Sequence, residues 1–389
     1  MIVGIDGSNI RSGGAMNYFG NMLAHASPHD VGVERVRVWG DRVTLDLLPD
    51  RSWIEPVHVP ELERSQLYRL LWQRRGLPQL ARDGCDLLFA PGGLVTGNFR
   101  PYVTMSRNML PFEYGEMFRY GPSKVMLRLL LLRFGQGRSI RHADGIIFLT
   151  EYARQVVSAK APPLGRVAVV PHGVDESFRV APRQQEPPAS FSEEHPFRIL
   201  YVSILDVYKH QSPLAEAVAL LRGEGLPVAL DLVGPAYPPS ERAVRATLAR
   251  LDPQERFLHY RGRIPFDELP AVHRRANLFA FASSCENMPN ILAEAMAGGH
   301  PIACARRGPM PEILGDAGVY FDPEVPADIA DALRRMFRDP DLRERSARMA
   351  HERAAQYSWG RCAGETFEFI AQVARAHGIG SARPAAAAT

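Results

Sequence analysis

The sequence predicts an α/β protein of two similar domains, each built on a mostly parallel β-sheet covered by helices. The chain has 389 residues, which is long for a single hydrophobic core. Short apolar segments alternate with helical segments, a pattern typical of parallel sheets with helices on both faces. This alternation stops at a proline-rich stretch, 179–196, and then starts again.

The predicted organisation follows from that interruption. We expect a first domain at 1–178, a linker at 179–196, a second domain at 197–356, a C-terminal helix at 357–377 and a disordered tail at 378–389. Open parallel sheets bind ligands beyond the carboxyl ends of their strands. The expected site is therefore an interdomain cleft.

The alternation also predicts individual elements. Strands of the first domain are expected at 1–6, 34–39, 53–59, 86–90, 102–105, 145–150 and 167–170. Helices there are expected at 15–26, 65–83, 123–134 and 151–159. Strands of the second domain are expected at 198–202, 228–233, 257–260, 278–282, 301–304 and 318–321. Ser358 is the expected N-cap of the last helix.

Composition and cysteine spacing argue against several classes of protein. The net charge is only +3, with 46% hydrophobic and 23% charged residues, so bulk charge gives no reason to expect a nucleic-acid partner. The four cysteines are far apart and favour neither a zinc site nor a disulfide framework. The chain begins directly with a strand and has no apolar run long enough to cross a bilayer. We therefore expect a cytoplasmic protein.

The most informative stretch is 283–299, which follows the apolar strand at 278–282. It has Glu286 in a loop, and Glu294 eight positions later inside a helix that ends at Gly298-Gly299. A helix N-terminus favours phosphate, and carboxylates accept hydrogen bonds from sugar hydroxyls. The combination suits a nucleotide-sugar. Strand-loop-helix units with two glutamates also occur in many α/β proteins that bind no such ligand.

Two other segments fit the same ligand. Gly13-Gly14 precedes a helix, where backbone can approach an anion, although the surrounding residues match neither the dinucleotide fingerprint nor a P-loop. Lys209 lies beyond the first strand of the second domain, where a lysine can neutralise a phosphate. The ordinary alternatives are a flexible turn and a surface lysine.

Together these segments resemble glycosyltransferase family 4, most specifically in the second domain, and the resemblance covers about 1–375. It is carried by the E-x7-E signature of Glu286 and Glu294 and by five further segments: the Gly13-Gly14 loop, 170–175, 202–209, 311–314 and 357–359. The resemblance implies the GT-B fold: two Rossmann-like, doubly wound domains and a C-terminal helix that crosses back. It also implies sugar transfer from a nucleotide-sugar co-substrate, with retention at the anomeric carbon and without a metal or other cofactor.

Residue roles follow from the resemblance position by position. Glu286 would contact the donor sugar, Glu294 the ribose hydroxyls and Lys209 the diphosphate. The remaining donor-binding positions would be Gly13, Gly14, Ser203, Asn287, Met288, Asn290 and Ile291. The backbone N–H groups of Met288, Asn290 and Ile291 would help to hold the phosphates.

The chain departs from the family pattern at two places. Ile204 stands where the family often has an arginine, five places before the lysine. Arg107-Asn108 stands where the family often has a His-Asp pair. We expect Arg107 to contact phosphate and Asn108 to bind sugar or acceptor, so both join Lys209 and Glu286 as candidate catalytic residues.

Two basic amphipathic stretches lie in the first domain. Their cationic residues are Arg64, Arg69, Arg74 and Arg75 in one, and Arg119, Lys124, Arg128, Arg133, Arg138 and Arg141 in the other. Such helices either pack on the sheet or lie on anionic lipid. An anionic membrane surface is thus an alternative partner, on the inner face of the cytoplasmic membrane.

The sequence therefore predicts a retaining glycosyltransferase that moves a UDP- or GDP-linked sugar to a saccharide or lipid-linked acceptor. The resemblance suggests the synthesis of lipopolysaccharide, capsule or another surface polysaccharide. A GT-B nucleotide-sugar epimerase and a non-catalytic nucleotide-sugar-binding subunit are the alternatives.

Overall fold

The computed structural model describes residues 1–10 and 13–379. The expected tail beyond Ile379 therefore lies outside the described residues. The chain divides into two compact units. The first comprises Met1–Phe112, Ser123–Gly173 and the chain from Ser358 onward, and the second comprises Glu113–Pro122 and Val174–Tyr357.

The first unit is built on a seven-stranded, all-parallel sheet with the order β3-β2-β1-β4-β5-β6-β7. Its strands are β1 Ile2–Asp6, β2 Arg35–Gly40, β3 Ile54–His58, β4 Leu87–Ala90, β5 Tyr102–Met105, β6 Gly145–Phe148 and β7 Arg166–Val169. Its helices are α1 Gly13–Ala24, α2 Arg42–Leu45, α3 Gln66–Leu71, α4 Leu77–Gly84, α6 Lys124–His142, α7 Glu151–Lys160 and α15 Trp359–Ala376. All seven predicted strands are confirmed.

Two predicted helices of this unit differ from the expectation, one by an internal π-helical turn and one by its greater length. The helix expected at 65–83 is divided into α3, a π-helical turn at Trp72–Gly76, and α4, because Pro78 has no N–H to continue the helical ladder. The helix expected at 123–134 runs on as α6 to His142. Gly135 is tolerated within α6 because a Cβ there would lie 2.8 Å from Leu94, so the glycine permits close packing.

The second unit is built on a six-stranded parallel sheet with the order β10-β9-β8-β11-β12-β13. Its strands are β8 Phe197–Val202, β9 Val228–Val233, β10 Leu258–Tyr260, β11 Leu278–Phe281, β12 Ile302–Ala305 and β13 Val319–Phe321. Its helices are α5 Tyr114–Phe118, α8 Gln211–Gly223, α9 Pro238–Leu251, α10 Leu269–Arg274, α11 Asn290–Ala297, α12 Met310–Leu314, α13 Pro326–Arg338 and α14 Pro340–Ala354. All six predicted strands are confirmed.

In each sheet the first strand of the unit lies in the interior of the sheet. The next strands along the chain are added on one side of it, and the later strands on the other side. In the second unit, β8 lies between β9 and β11, with Leu278 of β11 in register with Ile199 of β8. In the first unit, β1 lies between β2 and β4 in the same way. Open α/β sheets bind ligands where this change of side leaves a crevice at the carboxyl ends.

The chain passes between the units more often than the sequence suggested. Helix α15 belongs to the first unit, and the Ser358 side chain caps it by accepting from the Arg361 N–H at 3.2 Å, as expected. The segment 113–122, expected in the first domain, belongs instead to the second unit. There Arg119 bonds Glu324 at 2.6 Å, a contact between residues 205 positions apart that no local sequence pattern predicts.

The proline-rich stretch expected as a linker is packed onto the second unit. The Val180 N–H donates to the Ala297 carbonyl at 3.1 Å, and the Arg183 guanidinium donates to the Arg274 carbonyl at 3.0 Å. Arg343, which is fully buried, donates to the Gln185 side chain at 3.2 Å and to the Glu186 carbonyl. These bonds fix the stretch, so it is not a free spacer.

No helix in the described ranges, 1–10 and 13–379, is long and apolar enough to cross a membrane.

We expect the stability of the fold to depend on pH through His273. The side chain is buried between Phe178 and Phe279, and neither ring nitrogen has a hydrogen-bond partner among the described residues. Burial therefore lowers the pKa of His273 to about 4. An unfolded histidine titrates near pH 6.5, so the stability from this group is complete above that pH and is lost as pH falls toward 4.

We expect His273 to lower the free energy of unfolding by about 2 kcal/mol between pH 7.5 and pH 5. His273→Phe, which keeps a ring against Phe279, should remove that part of the pH dependence in urea unfolding. His29→Gln, at an exposed histidine, is the control and should keep the full pH dependence. An unchanged pH dependence in His273→Phe would contradict the assignment.

Candidate functional site

Two loops of the second unit are bonded together where β8 and β11 end. The Ser284 N–H donates to the Tyr208 carbonyl at 2.9 Å, and its hydroxyl donates to the same carbonyl at 3.2 Å. His210 Nε2 lies 2.8 Å from Ser284 Oγ. Because that hydroxyl proton is already donated, His210 Nε2 carries the hydrogen of this contact. The loops after the two neighbouring strands therefore form one rigid edge.

A buried ion pair joins these loops. The Lys209 ammonium donates to Glu286 Oε1, and both side chains are largely enclosed, with 7% and 15% of their surfaces exposed. The ammonium also lies 4.9 Å from the centre of the Tyr208 ring and 5.7 Å from that of Phe281. A lysine is seldom buried without a paired charge, since desolvation opposes it. The surface-lysine alternative is therefore wrong.

Glu294 differs from Glu286 because its carboxylate has no hydrogen-bond or ion-pair partner in the described ranges. It lies in the fifth position of α11 and is 7% exposed. Burial first, and then the nearby Asp175 carboxylate, raise the pKa of Glu294 to about 7. A buried carboxylate without a partner is costly, and such groups concentrate at functional sites.

The start of α11 supplies backbone donors beside these carboxylates. The first N–H groups of any helix lack intrahelical carbonyls, and here they include Ile291. The Asn290 N–H donates to the Met288 carbonyl at 3.0 Å, so this predicted donor already closes a turn. Asn287, like Met288, is buried.

The loop that carries Lys209 is shaped by contacts that sequence reasoning missed. Gly234, which follows β9, has a φ of 143°, and a Cβ there would lie 2.1 Å from the Ser203 carbonyl oxygen. Only glycine permits that approach. The Ser203 N–H donates to the Val233 carbonyl at 2.8 Å, so the predicted donor-binding serine is fixed to β9.

A second such contact comes from the 113–122 segment. The Tyr120 hydroxyl donates to Asp206 at 3.0 Å, and the same carboxylate oxygen accepts from the Val207 N–H at 2.8 Å. Burial raises the pKa of Asp206, while these bonds and the nearby Lys209 lower it. Tyr120 thereby holds the turn that leads to Lys209.

The first unit holds the other predicted residues in a separate group. Gly13 and Gly14 are exposed at the start of α1. The Arg107 guanidinium donates to the Gly14 carbonyl at 2.7 Å and lies 5.0 Å from the centre of the Tyr18 ring. Tyr18 stacks on His172, with ring centres 4.8 Å apart. Arg107 thus holds the first turn of α1.

The Asn108 side chain forms a hydrogen bond within its own turn. Its side-chain oxygen accepts from the Leu110 N–H at 3.1 Å and closes the turn before Phe112. Of the four candidate catalytic residues, the structure therefore brings Lys209 and Glu286 together in the second unit. Arg107 supports the Gly13-Gly14 backbone, and Asn108 shapes its own turn.

Comparison with known proteins finds sequence similarity to glycosyltransferases. Residues 196–339 match the family model described as Glycosyl transferases group 1. O-antigen chain mannosyltransferase B of Escherichia coli is 28% identical over 167 residues, which cover 43% of this chain and 44% of that protein. The chain spans less than half of the length of the first curated relatives, 44% of one and 24% of the next.

Solved structures match over nearly the whole chain. Sucrose-phosphate synthase from Thermosynechococcus elongatus has a TM-score of 0.75 at 18% identity, covering 97% of this chain and 100% of that one. HepE of Anabaena, in complex with UDP and glucose, has a TM-score of 0.66 at 18% identity, covering 97% and 99%. The fold is therefore GT-B, with two parallel-sheet domains.

We expect Arg107→Met to loosen the first turn of α1, because the Gly14 carbonyl loses its donor and the Tyr18 ring loses its cation. Amide hydrogen exchange at 14–18 should accelerate about tenfold, as expected for the loss of roughly 1–2 kcal/mol of local stability. Arg42→Met, at an exposed arginine of the same unit, is the control. Equal exchange in Arg107→Met and the parent protein would show that Arg107 does not support this turn.

Proposed function

We propose that the protein is a glycosyltransferase whose second unit binds a nucleoside diphosphate-sugar at the carboxyl ends of β8 and β11. One observation carries the proposal: the buried Lys209–Glu286 pair adjoins the strand-loop-helix segment that contains Glu294, whose buried carboxylate has no hydrogen-bond or ion-pair partner among the described residues. This region falls within the stretch that matches group 1 glycosyltransferases. The proposed acceptor is a saccharide or a lipid-linked saccharide.

Each charged group has a proposed role. Lys209 turns from Glu286 to the diphosphate, and Glu286 then accepts hydrogen bonds from the donor sugar hydroxyls. Glu294 accepts from the ribose hydroxyls, which supply the missing partners of its carboxylate. Gly13 and Gly14 stay predicted phosphate-binding positions, and Arg107 holds their backbone.

The proposed reaction is one substitution at the anomeric carbon. The acceptor hydroxyl oxygen forms a bond to that carbon, and the bond from the carbon to the diphosphate oxygen breaks. The hydroxyl proton passes to the departing diphosphate. Negative charge grows on that diphosphate, where the Lys209 ammonium stabilises it without a metal ion. We propose retention, as in family 4, with attack from the face that the diphosphate leaves.

The relatives support a choice of donors and an acceptor class. HepE was solved with UDP and glucose, whereas the Escherichia coli relative is called a mannosyltransferase of the O-antigen chain. We propose a UDP- or GDP-linked hexose as donor and a growing surface polysaccharide as acceptor.

A thermal-shift panel of UDP, GDP, ADP and their sugars tests donor binding. One nucleoside diphosphate and its sugar should raise the melting temperature, since a ligand that binds only the folded state stabilises it by mass action. No shift with any nucleotide would contradict the proposal. Tight binding with neither transfer nor hydrolysis would favour a non-catalytic subunit, and an altered free nucleotide-sugar would favour an epimerase.

The affinity for that nucleotide should depend on pH through Glu294. The ionised carboxylate accepts both ribose hydroxyls, and its pKa is raised to about 7, so the dissociation constant should rise as pH falls below 7. Calorimetric titration at pH 8, 7 and 6 measures this. Glu294→Gln should bind more weakly at pH 8, by roughly tenfold, and show little pH dependence. A Glu294→Gln variant that retains the parent affinity and pH profile would refute the ribose role.

Lys209→Met should slow the chemical step more than it weakens donor binding. Removing one donor to a developing anion lowers kcat by roughly a hundredfold or more. Arg242→Met, which removes an exposed cation outside the site, should keep the parent kcat. The parent protein should keep its transferase activity in EDTA, because the proposed stabilisation of the diphosphate by Lys209 uses no metal ion. Similar kcat values for Lys209→Met and the parent would contradict the assignment of Lys209 to the leaving group.

A further inference from the structure

Helix α6 carries an apolar stripe that the described chain leaves uncovered. Leu127, Leu131 and Phe134 are 58%, 65% and 73% exposed. They follow one another at intervals of four and three residues, so they lie on one face of the helix. The opposite face is buried normally, through Leu129, Ser139 and Ile140. Packing on the sheet therefore accounts for only one side of α6.

Cationic side chains stand at both ends of this stripe. They are Lys124 and Arg128 near its start, and Arg138 and Arg141 beyond its end, and all four are exposed. The helix contains no aspartate or glutamate, and none of the four cations forms an ion pair with a residue of the described ranges. By contrast, Arg154, Arg245 and Arg361 each bond a carboxylate on their own helix.

A cavity beside the stripe is lined by further cationic side chains. Its volume is about 360 Å³, and its lining includes Arg133, Phe134, Arg138, Arg141, His142 and Lys160. Arg133 and Lys160 also donate to the carbonyls of Pro111 and Phe112, which fixes their positions. The lining includes no carboxylate. Such a cavity attracts a small anionic group, for which phosphate is the best match.

We propose that α6 docks on a bilayer that contains anionic phospholipid. Leu127, Leu131 and Phe134 enter the acyl boundary, and a lipid phosphate enters the cavity beside α7. A helix with an apolar stripe, cationic flanks and low overall hydrophobicity lies in the plane of a membrane surface. A nucleic acid would use the cations but leave the three apolar side chains in water. The inference does not rest on the proposed sugar transfer.

The other basic stretch does not share this arrangement. Helix α3 exposes four apolar residues, Leu67, Tyr68, Leu70 and Leu71, while Trp72 next to it is buried in the core with Leu62 and Leu77. The proposal is confined to α6, where the exposed apolar stripe adjoins a cavity lined by cationic side chains.

Co-sedimentation with vesicles tests the proposal on the full chain. Binding is expected with vesicles that contain about 30% phosphatidylglycerol and not with phosphatidylcholine alone, and it should weaken as salt is raised. Arg138→Glu/Arg141→Glu should lower the partition coefficient at least about thirtyfold, since each cation near an anionic surface contributes roughly fivefold. Arg335→Glu/Arg338→Glu on α13 makes the same charge change at two other exposed arginines and should bind like the parent.

A fluorescent label at Leu131→Cys distinguishes insertion from general attraction. Cys285, Cys304 and Cys362 are buried and Cys85 is half-buried, so the label is placed in a Cys85→Ser background, where the new thiol reacts preferentially. Its emission should shift to the blue with the anionic vesicles only. The proposal is overturned if the parent protein does not bind these vesicles, if the α13 control weakens as much as the α6 variant, or if the label reports water. Binding to RNA with no binding to vesicles would likewise overturn it.

Discussion

The adjacency of β8 and β11 is the constraint on which the candidate site depends. These strands are parallel neighbours, with Leu278 in register with Ile199, so their carboxyl ends meet at one edge. Lys209 follows the first strand and Glu286 the second, and the ion pair between them spans the gap. One intervening strand would separate the loops by a further ~4.8 Å and break that pair.

The surroundings of the pair restrict its movement. Ser284 and His210 bond one loop to the other, Gly234 lets β9 approach the Ser203 carbonyl, and Tyr120 holds Asp206. Contacts of this kind fix the backbone of the two loops, so the Lys209 and Glu286 side chains can change partners on a rigid frame. Glu294 is the exception, because its buried carboxylate has no described partner. A fold optimised for stability alone would have paired or replaced this group, so it points to a ligand.

Arg107 occupies a position where the sequence departs from the glycosyltransferase family 4 pattern that it otherwise resembles. The sequence suggested a phosphate contact, by analogy with the pair that Arg107-Asn108 replaces. In the structure the guanidinium donates to the Gly14 carbonyl and lies over the Tyr18 ring. The cation therefore holds the backbone at the start of α1, where the sequence predicts a phosphate contact. Asn108 has no comparable contact beyond its own turn.

Local pattern predicted the strands and the loop between Glu286 and Glu294, because periodicity and helix-stop signals are written in neighbouring residues. It did not predict that 113–122 joins the second unit, since the Tyr120–Asp206 bond joins residues 86 positions apart. Nor did it predict that α6 continues through Gly135, where close packing against Leu94 overrides helix propensity. The proline-rich stretch was expected to be a linker, and the structure adds that side chains such as Arg343 hold it in place.

The most direct test of the account is a crystal structure with the nucleoside diphosphate that stabilises the protein. The account predicts the diphosphate within hydrogen-bond distance of the Lys209 ammonium, with both ribose hydroxyls on the Glu294 carboxylate. Nucleotide bound elsewhere, or bound with its ribose away from Glu294, would contradict it.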